Sequence, residues 1–565
     1  MKVIIVGGVA GGASCAARLR RLDEKAEIIM VERGPYVSYA NCGLPYRVGG
    51  VIERDESLFV ANEQLFRNTF AIDARTNCEA VGISPKEKTV TLRDVKTGKE
   101  STESYDKLVL SPGAASVRPP LPGIDLPGIF HVRTVPDALQ IREWLEKGSP
   151  FLAGMHRYAG FQTVRPKTRA VVCGGGFIGL EMAENLVHRN FEVTLVQKNE
   201  QILPHIDQEH ARVVEAFLEK HGVRLALGDG VTGFKQADGR IDVETQSGAT
   251  YPADIVILAL GVRPDTTLAK AAGLEIGERG GIRVDDQMHT SDPDIFAVGD
   301  AVEVKHSVTG EWSHIALAGP ANRQGRIAAD VIAGRESRFR GSQGTAIIGL
   351  FGASIAWTGT SEKALKRLGD TDYEKIYLYP NSHAGYYPGA TPIAMKVLFR
   401  KSDGRLLGAQ ALGQNGVDTR ISTMAAMLQM GATVYDLEEV ELCYAPQFGS
   451  AKDPVNFAGM VAANVLRGDM PVNHWDAARS EFLLDVRETF ELAAEIVPEA
   501  VNIPLGQLRG RLDELPRDKE INVFCRSAQR SYYATRILLQ NGFKAKNVSG
   551  GMLSLAHNYL LEFKE

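Results

Sequence analysis

The sequence predicts an α/β protein built around two Rossmann-like dinucleotide-binding domains. A β-branched run at Lys2–Val6 ends in a glycine loop, and a second run at Arg169–Cys173 ends in another. Each loop is followed by a helical pattern and then by another apolar strand, which is the order of a βαβ unit. The chain has 565 residues. Because one domain usually holds roughly 100–200 residues, we expect three to four domains.

The composition is typical of a soluble globular protein, with 44% hydrophobic and 24% charged residues. A net charge of -5 gives no overall attraction to polyanions, so we expect neither nucleic acid nor a membrane surface as a partner. No apolar run approaches the roughly 20 residues of a membrane span. The 6 cysteines lack paired spacing. They therefore predict no disulfide framework, no metal site and a reducing, cytoplasmic setting.

The first glycine loop has the spacing of a dinucleotide site. Gly7 and Gly12 hold two of the motif positions, and Val9 stands where the middle glycine is usual. Such a turn brings backbone N–H groups and a helix N-terminus against a pyrophosphate. Glu32, at the end of the following strand, is placed to bind a ribose hydroxyl.

The second glycine loop carries the full motif at Gly174, Gly176 and Gly179. At the end of its second strand, Gln197 and Lys198 stand where a carboxylate would bind the adenosine ribose of NADH. Without that carboxylate a 2′-phosphate is not repelled. The choice between NADH and NADPH therefore stays open, with a slight preference for use of both.

The remaining patterns suggest the domain order. Residues 292–300 predict a strand ending in a carboxylate before a helix near Ala321, and residues 341–466 alternate strands and helices without a nucleotide loop. A linker is predicted at 468–473. Residues 148–167 are rich in glycine, aromatic and basic residues, and we assign them no function. The predicted domains are 1–115 with 258–335, 116–257, 336–467 and 475–565.

Residues 1–467 resemble the two-dinucleotide-binding flavoprotein disulfide reductases. The two glycine loops and the segments 110–114, 260–264 and 295–300 carry the resemblance. It implies FAD and either NADH or NADPH as cofactors, and an α+β dimerisation domain. The residues it places at FAD are Gly7, Val9, Ala10, Gly11, Gly12, Glu32, Arg33, Ala114, Arg133, Asp300 and Ala318. Those it places at NAD(P)H are Gly174, Gly176, Phe177, Ile178, Gly179, Glu181, Gln197 and Lys198.

Residues 38–45 resemble the single-cysteine branch of this group, which comprises coenzyme A disulfide reductases, NADH oxidases and NADH peroxidases. The redox cysteine is Cys42, and Arg47 stands where other members carry a second cysteine. The resolving thiol must therefore come from outside. Oxidases and peroxidases place a histidine at the position of Ala10, which disfavours peroxide chemistry here.

Two later segments resemble the tyrosine-bearing segments that coenzyme A disulfide reductases supply across a homodimer to the partner's cysteine. Tyr386 lies in residues 383–389 and Tyr444 in residues 444–446. The second segment departs from the usual Tyr-Ala-Pro-Pro-Tyr at Gln447 and Phe448, which puts the fine geometry of the substrate site in doubt.

Coenzyme A carries several phosphate charges, so an acidic protein must bind it through a local basic cluster. Arg18 and Arg21 are three residues apart and share one helix face, and Arg20 adds to the cluster. The full set of predicted coenzyme A residues is Arg18, Arg21, Ser38, Asn41 and Arg67.

Residues 475–565 resemble a rhodanese domain through segments 485–487, 500–504, 525–531 and 550–551. Cys525 would be the thiolate or persulfide centre of an N–H-lined loop, with Arg526 and Arg530 stabilising the anion. The usual Gly-His before the 502–504 turn is absent, so a purely structural domain is the alternative.

Together these features predict an FAD-dependent NAD(P)H reductase of coenzyme A disulfide, coenzyme A persulfide or polysulfide. Cys42 would act with a lowered pKa, Tyr386 and Tyr444 would protonate or orient the leaving sulfur, and Cys525 would handle sulfane sulfur. The alternatives are an NADH oxidase or peroxidase, and a non-enzymatic sulfur or redox sensor. The sequence leaves the physiological sulfur acceptor open.

Overall fold

A computed structural model describes residues 1–147, 168–493 and 495–556. The segment 148–167, singled out above, lies outside the described residues. The chain forms two compact units, Met1–Ile202 with Gly222–Ser342 and Leu203–His221 with Gln343–Glu565. Within the described ranges we find no helix with the length and hydropathy of a membrane span.

The first βαβ unit forms as predicted, with strand Lys2–Val6, helix Ala10–Arg20 and strand Glu27–Val31. Val3, Ile4 and Ile5 are buried without alternation, which is typical of a parallel strand covered on both faces. The sheet is parallel and has the strand order Ile295–Ala297, Lys107–Leu110, Lys2–Val6, Glu27–Val31 and Asp73–Arg75.

The second βαβ unit is built in the same way around helix Phe177–His188. Its parallel sheet has the order Val223–Leu227, Glu192–Gln197, Arg169–Cys173, Ile255–Leu258 and Ile129–His131. In both sheets the glycine loop leaves the carboxyl end of the central strand, where open α/β sheets bind their ligands.

Smaller elements complete the first unit. Its other sheets contain Cys78–Ser84, Thr89–Asp94 and Glu100–Ser104; Val231–Ala237, Arg240–Thr245 and Thr250–Ala253; Ala114–Ser116 and Val262–Pro264; and Ile282–Arg283, Val302–Lys305 and Trp312–Ser313. Its other helical segments are Asn41–Gly43, Leu44–Gly49, Asp55–Leu58, Glu63–Phe70, Val135–Lys147, Thr267–Ala271, Gly299–Ala301 and Ala318–Ile332.

The second unit contains an antiparallel sheet in the region predicted to dimerise. Its order is Ala346–Leu350, Ala353–Gly359, Leu406–Gly413, Ile393–Arg400 and Tyr373–Leu378. The helices of this part are Gln208–Lys220, Glu362–Leu368, Val417–Gln429, Val434–Glu439 and Pro454–Leu466.

A buried ion cluster ties helix Gln208–Lys220 to this sheet. The ammonium of Lys396 is inaccessible to solvent and lies 2.9 Å from an Asp207 oxygen and 2.7 Å from a Glu362 oxygen. It also contacts Glu209. The three carboxylates are close enough together to suggest a cation site, and the Lys396 ammonium already lies among them as their shared cation, with Lys375 also paired to Glu362.

The rhodanese-like part has a parallel sheet with the order Val472–Asn473, Lys544–Val548, Glu520–Phe524, Phe482–Asp485 and Val501–Asn502. Its edge strand Val472–Asn473 thus begins inside the segment predicted as a linker. The helical segments are Trp475–Ala478, Thr489–Ala493, Leu505–Leu508, Leu512–Glu514, Gln529–Gln540 and Gly551–Ala556.

This part packs directly against the antiparallel sheet of the same unit. The Tyr377 N–H donates to the Ser549 hydroxyl at 3.0 Å, and His474 lies 3.0 Å from the Glu374 carboxylate. A side chain at Gly550 would lie 2.8 Å from Tyr377 Cβ. The contact therefore requires glycine at this position, immediately before the last described helix.

Candidate active site

A cavity of about 340 Å³ lies at the first glycine loop. Predicted FAD residues form much of its wall, and Asn41, predicted for coenzyme A, lines it as well. The FAD residues that line it are Val9, Ala10, Gly11, Glu32, Arg33, Ala114, Arg133 and Asp300.

Two glycines of the first loop are required by close backbone approach. Gly7 has φ +99, and a Cβ there would lie 2.0 Å from the carbonyl oxygen of Ser111. A Cβ at Gly12 would lie 1.8 Å from the Gly7 carbonyl oxygen. Both would clash, so these residues shape the loop from behind, and neither lines the cavity.

The Glu32 carboxylate is fixed by two backbone donors. It accepts hydrogen bonds from the Gly8 N–H at 3.0 Å and from the Gly34 N–H at 2.8 Å. Because the carboxylate lies beside the glycine loop, a ribose bound there would meet an oriented acceptor.

On the wall of the same cavity, Arg133 and Asp300 form an ion pair at 3.1 Å. Ala318, predicted to contact FAD, does not line the cavity; Ala321, one turn further along the same helix, does. A tight glycine turn, an oriented carboxylate and a charged pair around one cavity fit a dinucleotide such as FAD.

The second glycine loop repeats this geometry. Gly174 has φ +115, and a Cβ at Gly179 would lie 1.9 Å from the Gly174 carbonyl oxygen. A Cβ at Gly176 would meet no atom within 4 Å. The backbone there is open to a ligand at the start of the helix that begins with Phe177 and Ile178.

Gln197 occupies the place predicted for a ribose-binding acid. Its side-chain oxygen accepts a hydrogen bond from the Gly175 N–H at 3.2 Å, and its amide nitrogen donates to the Gln201 carbonyl at 3.2 Å. Lys198, the next residue, is exposed. This loop therefore presents a neutral amide beside an exposed positive side chain.

Cys42 lies in the short helical turn Asn41–Gly43, immediately before helix Leu44–Gly49. We predicted a lowered thiol pKa, and this prediction is wrong for the protein alone. Desolvation raises the pKa of Cys42, and the nearby carboxylates of Glu181 and Asp300 raise it further, while Arg133 only partly opposes them. Desolvation, with the two carboxylates, outweighs the start of a short helix.

Sequence analysis missed a second polar group beside this thiol. The Tyr46 hydroxyl donates to Glu181 Oε1 at 3.3 Å. Burial, with a smaller contribution from Glu184, raises the pKa of Glu181 to about 7. The available signal was spacing, because Tyr46 follows Cys42 by four residues at the start of a helix.

Arg47, at the position of the absent second cysteine, is buried and structural. Its guanidinium pairs with Asp55 and donates to the Ile52 carbonyl at 3.2 Å. Cys42 thus has no neighbouring thiol on its own helix.

Tyr386 and Tyr444 meet in the second unit although they are far apart in sequence. Their hydroxyls are 2.8 Å apart, and the two residues are 76% and 49% exposed. A solvent-facing hydroxyl pair can share and relay a proton, which suits the role predicted for them.

The predicted coenzyme A arginines differ in availability. Arg18 pairs with Asp330 at 2.7 Å, whereas Arg21 and Arg67 are exposed, and Arg67 lies 4.0 Å from the Asp73 carboxylate. Arg20 is buried and donates to backbone carbonyls, among them that of Ala26 at 2.7 Å. Its assignment to the basic cluster was wrong, because its guanidinium is used to hold the backbone. Ser38, also predicted to bind coenzyme A, lies four residues before Cys42 and has φ +46.

Cys525 lies at the carboxyl end of strand Glu520–Phe524 and is buried. The Ser531 hydroxyl donates to its sulfur at 3.4 Å. Ala528, between them, has φ +68, a conformation that strains a residue with a side chain. The loop is therefore held in a fixed, tight turn around the sulfur.

Family comparisons agree with this geometry. Residues 1–325 match the pyridine nucleotide-disulphide oxidoreductase family, residues 346–453 match its dimerisation domain, and residues 472–557 match the rhodanese-like domain. These matches confirm the predicted fold class.

Individual proteins resemble the chain over most of its length. It is 31% identical to a coenzyme A disulfide reductase of Staphylococcus haemolyticus, over 82% of this chain and 100% of that protein. The solved structure of Bacillus anthracis CoADR-RHD matches with a TM-score of 0.93 and 44% identity, over 99% of this chain and 98% of that one. A NAD-dependent persulfide reductase from A. fulgidus matches with a TM-score of 0.88 and 36% identity, over 98% and 100%.

The glycine loops, the lone Cys42 and the domain matches point the same way: the chain belongs to the pyridine nucleotide-disulphide oxidoreductase family and carries a rhodanese-like domain after its dimerisation domain.

Proposed function

We propose that this chain is an FAD-dependent NAD(P)H reductase of coenzyme A disulfide, coenzyme A persulfide or polysulfide, acting through Cys42. The observation that carries the proposal is the exposed thiol of Cys42, which follows the cavity-lining Asn41 and is close enough to Asp300 and Arg133 of the cavity wall to be affected by their charges, with the buried Arg47 in place of a second cysteine. A lone thiol beside a redox cofactor suits substrates that bring their own sulfur–sulfur bond.

The relatives support the choice of substrate. The matched proteins are named for reduction of coenzyme A disulfide and of persulfide, and the two full-length structural matches cover 98% or more of this chain. Family membership supplies FAD and NAD(P)H as the cofactors.

FAD, when bound, supplies a two-electron carrier between the nicotinamide and sulfur. Glu32, Arg133 and Asp300 would hold it in the first cavity, and the loop around Gly176 would hold NAD(P)H. The protein's contribution there is to orient the ligands and to exclude water.

Sulfur chemistry begins at Cys42. Its thiolate attacks one sulfur of coenzyme A disulfide, the substrate S–S bond breaks, and one coenzyme A leaves as a thiolate. Two electrons and protons then split the Cys42 mixed disulfide and release the second coenzyme A. With coenzyme A persulfide, attack on the inner sulfur releases hydrosulfide instead.

A homodimer completes this site. The exposed Tyr386 and Tyr444 pair would approach the partner's cysteine, where a hydroxyl donates a proton to the departing sulfur. The matched dimerisation domain supports this arrangement. With six free cysteines, we place the enzyme in the cytoplasm.

The oxidase alternative is weaker. Ala10 lines the cavity and has no group that can protonate reduced oxygen. A sensor without turnover also fits less well, since the whole two-cofactor framework is retained.

The test compares the FAD-loaded protein with Cys42→Ser. NADH and NADPH oxidation is measured with coenzyme A disulfide, coenzyme A persulfide, polysulfide, glutathione persulfide and oxygen. We expect the variant to keep FAD and to lose turnover with every sulfur acceptor. Cys78→Ser, in a peripheral strand, is the control and should keep it.

Retained turnover of coenzyme A disulfide by Cys42→Ser would refute the role of that thiol. Oxygen as the best acceptor would establish the oxidase instead. Reduction of no acceptor at all would favour the sensor.

A further inference from the structure

The arginine expected to stabilise a persulfide at Cys525 is already bound by a carboxylate. Arg530 forms two hydrogen bonds to Glu491, at 2.5 Å and 2.8 Å, and so pairs with it in a bidentate manner. The same guanidinium lies close enough to Glu491 and to the Cys525 sulfur for both to raise its pKa. Glu491 is therefore an anion held one side chain away from the reacting sulfur.

A second arginine at this edge of the sheet is neutralised in the same way. Arg487 is buried and makes paired hydrogen bonds to Asp485 at 2.7 Å and 3.0 Å. The Arg487 and Arg530 charges are thus both matched by carboxylates.

The Glu491 carboxylate stays ionised at neutral pH. Hydrogen bonding from Arg530 holds the pKa of Glu491 at about 2, and the Glu488 N–H donates to the same carboxylate at 3.0 Å. The pair persists across the range in which sulfur donors are reactive.

Exposed aromatic side chains adjoin both members of the pair in sequence. Phe490, next to Glu491, is 80% exposed, and Tyr533, one helical turn after Arg530, is 47% exposed. Apolar surface beside an arginine that is already paired with a carboxylate suits an organic thiol group better than a small dianion.

We propose that Glu491 sets the sulfur-donor specificity of the Cys525 loop, favouring organic persulfides over inorganic dianions such as thiosulfate. The inference rests on the proposed role of Cys525 as a sulfur acceptor. The Glu491 anion repels a dianion and occupies the guanidinium that would bind it.

The chemistry balances for either donor. With an organic persulfide, the Cys525 thiolate attacks the outer sulfur, the donor S–S bond breaks, and the donor leaves as a thiolate. With thiosulfate, the same attack releases sulfite and leaves the persulfide anion on Cys525. In the second route the donor is a compact dianion, whose two charges both lie close to the transferred sulfur.

The test compares wild type with Glu491→Gln and Glu491→Ala, both of which release Arg530. Sulfur transfer to cyanide is measured with thiosulfate and with glutathione persulfide. We expect the ratio of kcat/KM for thiosulfate to that for glutathione persulfide to rise about tenfold in both variants, and less at high salt. Glu488→Gln, which removes an exposed charge three residues away, should leave the ratio unchanged.

A second readout does not depend on sulfur transfer. The rate of Cys525 alkylation is measured with anionic iodoacetate and with neutral iodoacetamide. The ratio of the iodoacetate rate to the iodoacetamide rate should rise in the same two variants. If wild type transfers sulfur from neither donor, the role of Cys525 fails while this ratio still tests Glu491. An unchanged ratio, or equal acceleration of both reagents by an opened loop, would overturn the proposal.

Discussion

Glu32 and Gln197 occupy equivalent places in the two nucleotide-binding units. Each lies at the end of the second strand, and each accepts a hydrogen bond from a glycine-loop N–H, at 3.0 Å and 3.2 Å. The first side chain is an anion and the second is a neutral amide. The two sites thus share one scaffold and differ in charge where a ribose would bind.

Gln197→Glu should make the enzyme prefer NADH. A carboxylate at this position repels the 2′-phosphate of NADPH, so we expect kcat/KM for NADPH relative to NADH to fall about tenfold. Gln236→Glu, on an exposed strand, adds the same charge elsewhere and is the control. An unchanged cofactor ratio would show that Gln197 does not face the ribose.

Tyr386→Phe should slow the sulfur half-reaction and spare the nicotinamide half-reaction. It removes one hydroxyl of the 2.8 Å pair with Tyr444, and loss of a positioned acid typically costs on the order of 10²-fold. Stopped-flow measurement of both half-reactions would separate them. Tyr387→Phe is the matched control, and an equal effect there would argue against proton donation.

Glu181→Gln should make Cys42 more reactive above neutral pH. Burial raises the pKa of Glu181 to about 7, so its negative charge appears as the pH rises through 7 and then opposes the Cys42 thiolate. We expect the pH profile of Cys42 alkylation to shift to lower pH in the variant. The control Glu192→Gln should leave this pH profile unchanged. If Glu181→Gln does not shift the profile either, the charge of Glu181 does not affect Cys42.

Cys525→Ser should abolish sulfur transfer from polysulfide and thiosulfate and slow their NAD(P)H-dependent reduction. Reduction of preformed coenzyme A disulfide should stay nearly intact, because that substrate already offers Cys42 a sulfur to attack. Assays with both kinds of substrate decide the matter. Equal loss with both would make the rhodanese-like part a support for the fold or dimer.

Lys396→Met should destabilise the second unit by about 3–5 kcal/mol, because it leaves three carboxylates without their buried cation. In wild type this ammonium lowers the pKa of Glu209 and Glu362. Their contribution to stability is therefore complete above about pH 4.5 and declines as the pH falls below it.

Thermal unfolding from pH 3 to 8 would measure both effects. In the variant we expect the carboxylates to take up protons on folding. The loss of stability relative to wild type should therefore become smaller at acidic pH. Lys401→Met, an exposed site, should match wild type. A loss of stability that is the same at every pH would contradict the ion pairing of Lys396 with these carboxylates.

The sequence determined the features that depend on neighbours along the chain. Both glycine loops, the strands before them and the position of Gln197 follow from local spacing, because a βαβ turn is built from consecutive residues. The absence of a second cysteine beside Cys42 was equally plain, and so was the resemblance that assigned both Tyr386 and Tyr444 to the partner's cysteine.

Only the tertiary structure decided which charges meet. Arg18 pairs with Asp330, Tyr46 with Glu181 and Arg530 with Glu491, and each pair joins residues from separate elements. Composition counts such groups but does not place them. A pKa depends on charges and water within a few ångströms, so the raised pKa of Cys42 and the pairing of Arg530 with Glu491 beside Cys525 became visible only when distant segments were brought together.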